Sequence, residues 1–388
     1  MSNWAWLQEP HLQHLLAALA DARVAGGAVR NALLGAPVHE VDVATSLSPD
    51  EVMRRAAAAG FSVHPTGLEH GTVTVAREGA AFEVTTLRHD VETDGRRAKV
   101  AFTDDWEADA RRRDFTMNAL YCSASGEVFD PVCGMDDVLG RRVRFVGEPA
   151  ARIAEDYLRI LRFFRFFAQY GEGAPDAEGL AACAALKAGL QQLSAERVRQ
   201  ELMKLLVAPR AVAAVEAMAS VGVLGAVLPR ADVAVFKRMA AIDAREGFAP
   251  DAVLRLAALA PQMGVKQALR LSNAQAQQLD GLAGASGLSP AMADAELRRM
   301  RYALGDSYAH AVRLSWARAD EASWAQAYAL ADKPVPVFAL KGSDLLALGF
   351  KPGPDVGRVL RSLEEVWIKS DFSASKEALL QKGAEWLN

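Results

Sequence analysis

Residues Gly26-Gly27-Ala28-Val29-Arg30 put a glycine pair at the head of a short helical run, and His39-Glu40-Val41-Asp42-Val43-Ala44-Thr45 follows after a brief loop. A glycine turn exposes backbone N–H groups that can cradle phosphate oxygens. The segment after it alternates as a strand does, so Val41 and Val43 turn into a core while Glu40 and Asp42 share the opposite face. Carboxylates this close repel one another unless a cation lies between them. Taken alone, the strand also fits a solvated edge of alternating polarity. Beside the glycine turn it predicts the two devices that phosphoryl and nucleotidyl transfer need, a polyphosphate cradle and an acid pair for divalent metal.

Around these motifs the pattern is mixed. Residues 4–22 predict an amphipathic helix, with Leu12, Leu15, Leu16 and Leu19 at helical spacing. Ser48-Pro49-Asp50-Glu51 is a helix start, with a hydroxyl cap, proline at the first position and acids in the first turn; that helix ends at Gly60. Phe61 to Val63, Thr72 to Val75 and Phe82 to Thr86 predict strands, the last two joined by a turn at Glu78-Gly79. Residues 1–145 therefore read as α+β with a small mixed sheet. From Glu148 onward alanine- and leucine-rich helical patterns run to the end. The composition shifts sharply near 140–150 and more softly near 210–230, which predicts segments 1–145, 146–225 and 226–388.

A chain of 388 residues exceeds one typical compact core. With 51% hydrophobic and 24% charged residues it has globular composition, and a net charge of −4 leaves any nucleic-acid partner to local basic patches. Cys122, Cys133 and Cys183 form neither a disulfide framework nor a zinc pattern, which fits a reducing cytoplasmic setting. No signal peptide or membrane-spanning apolar run is expected.

Further constellations carry chemistry. Glu83 shares a strand face with Thr85, so it is either a third carboxylate beside the acid pair or an exposed strand acid. Arg111-Arg112-Arg113-Asp114 runs into Phe115, Met117 and Ala119, which predicts a packed helix with guanidinium forks for phosphate or sugar oxygens, an adjacent acid orienting them. In Glu155-Asp156-Tyr157-Leu158-Arg159-Ile160-Leu161-Arg162, Asp156 and Arg159 are neighbours on one predicted helix surface, with Arg162 one turn on. A carboxylate accepts from an exocyclic amine and a guanidinium donates to a ring acceptor, the edge that cytosine and adenine share and that guanine and uracil lack. The alternative for that segment is an ordinary intrahelical salt bridge. Ser194-Ala195-Glu196-Arg197 opens a further helix that would support the arginine helix.

Together Gly26 to Arg30, Glu40-Val41-Asp42, Arg112 to Ala119, Glu155 to Arg159 and Ser194 to Arg197, in that order and spacing, resemble the class II tRNA nucleotidyltransferases, the CCA-adding enzymes and their bacterial poly(A) polymerase relatives. The resemblance covers about residues 20–210 and implies a polymerase-beta-like nucleotidyltransferase palm, then all-helical neck, body and tail domains. It implies addition of C, C and A to the tRNA 3′ end from CTP and ATP with two Mg²⁺ ions, and no zinc. By the same match Gly27 and Arg30 would bind the triphosphate, with Gly26 beside them, and Glu40 and Asp42 the metal; Glu83, from its place on the neighbouring strand, is a further catalytic candidate. Arg113 and Asp114, with Arg112 and Asn118 in the same set, would hold the sugar-phosphate part. Asp156 and Arg159 would read the base, with Arg162 and Arg165 adding nucleotide contacts. Asp90 to Thr103 matches a flexible segment thought to help the switch from C to A. The chain departs from the family at Glu40 and Asn31, where aspartate is common. Within the same chemistry the rivals are A-tail addition and partial CC or A addition; the mixed charge from Lys376 to Asn388, where poly(A) polymerases tend to carry a basic extension, favours CCA addition. A non-catalytic RNA-binding relic predicts loss of the acids, yet Asp42 and Glu83 are present.

Overall fold

A computed structural model of the chain describes residues 4–94, 97–260, 264–282, 287–319 and 324–387. It divides into two compact units, Met1–Ala231 with Gln267–Arg270, and Asp232–Lys266 with Leu271–Asn388.

The first unit begins with helix α1 (Pro10–Leu19), whose Leu12, Leu15, Leu16 and Leu19 are buried as their spacing predicts. The single helix expected over 4–22 is shorter because Pro10 starts a new one, capped when the Glu9 carboxylate accepts from Leu12 N at 2.6 Å. The chain then runs β1 (Ala22–Ala25), α2 (Gly27–Leu33), β2 (Asp42–Thr45), α3 (Pro49–Ala58), β3 (Ser62–Gly67), β4 (Thr72–Arg77) and β5 (Ala80–Thr86). β6 (Arg88–Asp94) and β7 (Arg97–Phe102) form a separate antiparallel ladder, and α4 (Trp106–Arg111), β8 (Tyr121–Cys122) and β9 (Val128–Phe129) follow. Seven strands make one mixed sheet in the order β3-β4-β5-β2-β1-β8-β9, with β2 and β5 parallel and every other pair antiparallel. Ser48 caps α3 as its sequence predicts.

Three local expectations change. β2 begins at Asp42, so Glu40 lies in the loop ahead of it rather than on the strand. Its pairing with β1 ends there, with Ala25 opposite Asp42 before Gly26 turns the chain into α2. The helix expected across Arg111 to Ala119 stops at Arg111, and Thr116–Asn118 forms a separate 3₁₀ turn. Asp114 breaks it by binding locally: one carboxylate oxygen accepts from Phe115 N at 2.8 Å and from the Asn118 amide at 3.0 Å. The helix expected across Glu155 to Arg165 is also two, α6 (Pro149–Glu155) and α7 (Leu158–Tyr170), after α5 (Met135–Leu139). Asp156 sits between them in extended conformation and accepts from Leu158 N at 3.1 Å.

α7 packs back on the palm through an aromatic stack. Phe115 and Phe145 have ring centroids 5.0 Å apart, and Phe145 stacks on Phe163 at 5.5 Å. α8 (Ala177–Leu186), α9 (Ala195–Leu206) and α10 (Ala211–Ser220) complete the helices that matter here.

Among the described residues of the second unit every regular element is a helix. Its cores gather around Met239, Leu254 and Leu314, around Leu297, Tyr308 and Trp324, and around Leu345, Leu363 and Trp367. Buried Asp243 accepts from Arg255 at 3.0 Å and from Arg313, so one carboxylate ties three helices. Among the described residues no helix is long and apolar enough to cross a membrane. The expected flexible segment is partly covered: Gly95 and Arg96 lie outside the described residues.

Candidate active site

One cavity of about 560 Å³ opens in the first unit. Gly26, Gly27 and Arg30 line it from α2, Glu40 and Asp42 from the approach to β2, and Arg112, Arg113, Asp114 and Asn118 from the segment after α4. Asp156, Arg159, Arg162 and Phe166 line it from the α6–α7 junction and α7. Segments far apart in sequence thus meet in one cleft. Two residues of the expected set stand outside its lining. Glu83 lies on β5 directly in register with Asp42, and Arg165 is turned to Glu201, whose carboxylate accepts its Nε–H.

The glycine turn is sterically required. Gly26 has φ +66°, and a Cβ there would stand 3.1 Å from an Arg113 nitrogen and 3.3 Å from the Asn118 carbonyl oxygen. Its N–H donates to Leu120 O at 2.8 Å, fixing α2 against the palm. Gly26→Ala is expected to destabilise the protein by about 2 kcal/mol through φ strain and crowding, measured by denaturant unfolding.

The acids are arranged for a cation. Asp42 opens to solvent at its edge, but the cleft walls strip part of its hydration, and this with the nearby charges of Glu83 and Glu40 pushes its carboxyl above the usual range. Arg113 opposes that shift only in part. Like-charged hard oxygens in an open cleft suit Mg²⁺. Among the described residues no three His, Cys, Asp or Glu side chains converge as a metal cage.

The sequence reading gave Asp114 the task of orienting the neighbouring arginines. The structure gives it to Asp109, which that reading did not single out. Asp109 is 1% exposed and accepts from Arg112 Nε at 2.8 Å, Arg113 Nη2 at 3.2 Å and the Tyr121 hydroxyl at 2.6 Å. Burial works against its charge, but Arg113 and Arg112 outweigh that and hold its carboxyl below the usual range. Arg111 faces outward and pairs with Glu107. The spacing was a usable signal, since Asp109 lies three and four residues before Arg112 and Arg113 on one helix end.

Asp114 orients Arg162 instead. Its Oδ2 accepts from Arg162 Nε at 2.7 Å, while its Oδ1 holds the Asn118 amide, whose own oxygen accepts from Arg30. Burial again opposes ionisation, yet Arg162 and Asn118 keep this carboxyl low. A chain of polar contacts therefore runs from α2 to α7 across the cleft wall.

Asp156 and Arg159 both face the cavity but do not pair with each other. Asp156 Oδ2 accepts from Arg197 at 2.6 Å, across 41 residues of sequence, and Arg159 Nη1 donates to Glu155 at 2.5 Å and to Arg152 O at 2.8 Å. The simple Asp156–Arg159 salt bridge is absent, and Arg197 takes the supporting place expected of its helix. Glu155, Glu201 and Tyr170, also missed, lie behind the site: Glu201 accepts from Arg165 and pairs with the cavity-lining Arg162 at 3.7 Å, and the Tyr170 hydroxyl accepts from Arg30 at 2.8 Å.

Known proteins resemble this chain over much of its length. Residues 22–144 match the Poly A polymerase head domain, and residues 175–235 match the probable RNA- and SrmB-binding site of polymerase A. The mitochondrial CCA tRNA nucleotidyltransferase 1 of Homo sapiens is 33% identical over 371 residues, covering 93% of this chain and 86% of its own. The CCA-adding enzyme of Geobacillus thermodenitrificans is 42% identical over 206 residues, or 52% of this chain and 49% of its own. Among solved structures, the Bacillus stearothermophilus CCA-adding enzyme in complex with CTP superposes with a TM-score of 0.73 at 25% identity, covering 98% of each chain. With a vertebrate relative this similar across nearly its whole length, and with an acid pair, a glycine turn and an Asp/Arg set in one cleft, the chain belongs to the class II CCA-adding tRNA nucleotidyltransferase family.

Proposed function

We propose that this chain extends the tRNA 3′ end with C, C and A from CTP and ATP, without a nucleic-acid template, and releases pyrophosphate. The observation that carries the reading is the meeting, in one cavity, of Glu40 and Asp42 with the Asp156/Arg159 pair, one set suited to metal and the other to a nucleobase edge. Gly27 and Arg30 hold the triphosphate, and Arg113, supported by Asp109, takes the sugar-phosphate part. Glu40 and Asp42 hold Mg²⁺, with Glu83 adding negative charge beside Asp42. When bound, two such ions supply a more acidic ribose hydroxyl and neutralise the leaving pyrophosphate. Asp156 accepts from the exocyclic amine of C or A and Arg159 donates to the ring acceptor next to it. Their partners Arg197 and Glu155 fix the orientation of both groups. Residues 1–145 serve as the catalytic palm, 146–225 as the neck that reads the base and contacts RNA, and 226–388 as the body and tail that hold tRNA through phosphates and shape. The free cysteines Cys122, Cys133 and Cys183 favour a reducing compartment such as the cytoplasm.

The test is incorporation on tRNA ending before CCA. CTP and ATP together give three added nucleotides and then arrest; long A tails with ATP alone would identify A-tail addition instead, and arrest after a subset would identify a partial enzyme. Replacing Asp156 and Arg159 together is expected to raise the share of UTP and GTP incorporated, because one good bidentate contact is worth about 1–3 kcal/mol of discrimination. Unchanged selectivity would remove the base-reading role.

A further inference from the structure

Arg162, Phe166 and Tyr170 follow one another at single-turn spacing on α7, so they form one stripe along the helix. Phe166 is 5% exposed and lines the cavity, and its ring lies 5.5 Å from that of Tyr170. Arg30, from α2 on the palm, lies across this stripe. Its guanidinium carbon stands 4.0 Å from the Tyr170 ring centroid and 5.3 Å from that of Phe166. Its Nη2 donates to the Tyr170 hydroxyl at 2.8 Å and to Asn31 Oδ1 at 2.9 Å, its Nε donates to Asn31 at 3.2 Å, and its Nη1 donates to Asn118. Four of its five N–H groups are thus committed, and among the described residues the fifth, on Nη1, has no partner. Arg30 is itself 6% exposed and borders the cavity. A buried guanidinium reaches such a fixed pose only where a flat apolar face and directed acceptors both hold it.

We propose that Tyr170 is a positioning residue for nucleotide binding: its ring and hydroxyl, at the far end of the α7 stripe, hold the Arg30 guanidinium so that its remaining N–H faces the triphosphate. The proposal rests on the reading of Arg30 as a triphosphate ligand. The role acts through Arg30, so it is common to both nucleotides and is independent of the base. Asp156 and Arg159 sit at the other end of α7 and its junction, out of the path of the Tyr170 contact.

The test is steady-state addition by the full chain to tRNA lacking the terminal nucleotides, with Tyr170→Phe, Tyr170→Leu, Arg30→Lys and the double variant Arg30→Lys with Tyr170→Leu. Loss of ring and hydroxyl together in Tyr170→Leu raises KM for CTP and for ATP alike by about 5- to 10-fold, with kcat and the KM for tRNA within about twofold. Tyr170→Phe keeps the ring and gives a rise of about threefold or less, and serves as the gentler variant should Tyr170→Leu fold poorly. In the Arg30→Lys background Tyr170→Leu adds nothing further. Unchanged nucleotide KM in both Tyr170 variants, a fall in kcat alone, or full additivity with Arg30→Lys would overturn the assignment. Arg30→Lys with a raised KM beside silent Tyr170 variants removes Tyr170 only; Arg30→Lys with an unchanged KM removes the triphosphate reading beneath it.

Discussion

Asp42→Ala lowers nucleotide incorporation by about 1,000-fold or more while tRNA affinity stays within about twofold. Asp42 is the one acid of the set that both lines the cavity and begins a sheet strand, flanked by Glu83 in register and Glu40 in the preceding loop. The same substitution has a second, opposite signature. In the free protein burial and the neighbouring acids raise the Asp42 carboxyl, so its ionised form is held at a cost above its ordinary pKa. Removing it relieves that repulsion, and the thermal midpoint at neutral pH does not fall. Single-turnover incorporation and a thermal melt on the same preparation check both halves; retained incorporation would remove Asp42 from the reaction.

A loss of about 3–5 kcal/mol of stability is expected for Asp109→Ala, because removing one partner of a buried ion cluster leaves the other charges uncompensated. Arg112, Arg113 and the Tyr121 hydroxyl all converge on that carboxylate, and Tyr121 itself packs edge-on to Trp106 at 5.0 Å in the palm core. The pH dependence has a definite sign. The Asp109 carboxyl lies below its ordinary value of 3.8 in the folded protein, so its contribution is complete above that value and is lost as pH falls through the lower folded one. Urea unfolding of wild type and variant at neutral pH and in acid shows the gap closing only in strong acid. A gap that is already absent at neutral pH would mean the two arginines find other partners.

What could be read in the chain beforehand was local. The Gly26-Gly27 turn, the Ser48 cap of α3, the β4–β5 hairpin and the leucines of α1 each follow from spacing over a few residues. The acid pair and its strand were legible, but the strand's start was not: β2 begins at Asp42, opposite Ala25, the last residue of β1, so Glu40 falls in the loop. The register that sets Glu83 beside Asp42 joins parallel strands separated by a helix and a hairpin, and nothing local encodes it. Asp156 was misplaced within a continuous helix because apolar periodicity hides a side chain that bonds its own backbone and the distant Arg197. Asp109 and Asp114 flank the arginine run on either side, and helix geometry favours Asp109, three and four residues before Arg112 and Arg113. β6 carries Val91 as its single apolar residue, so that half of the β6–β7 ladder gave no apolar alternation to read.

The central claim is that Glu40 and Asp42 hold the divalent ion on which nucleotidyl transfer depends. Titration of Mn²⁺ into the full chain without nucleotide, read by the loss of free-ion paramagnetic signal, tests it most directly. Saturable binding in wild type that is abolished in Asp42→Asn and weakened in Glu40→Gln is the predicted result. Equal binding in wild type and Asp42→Asn would contradict it.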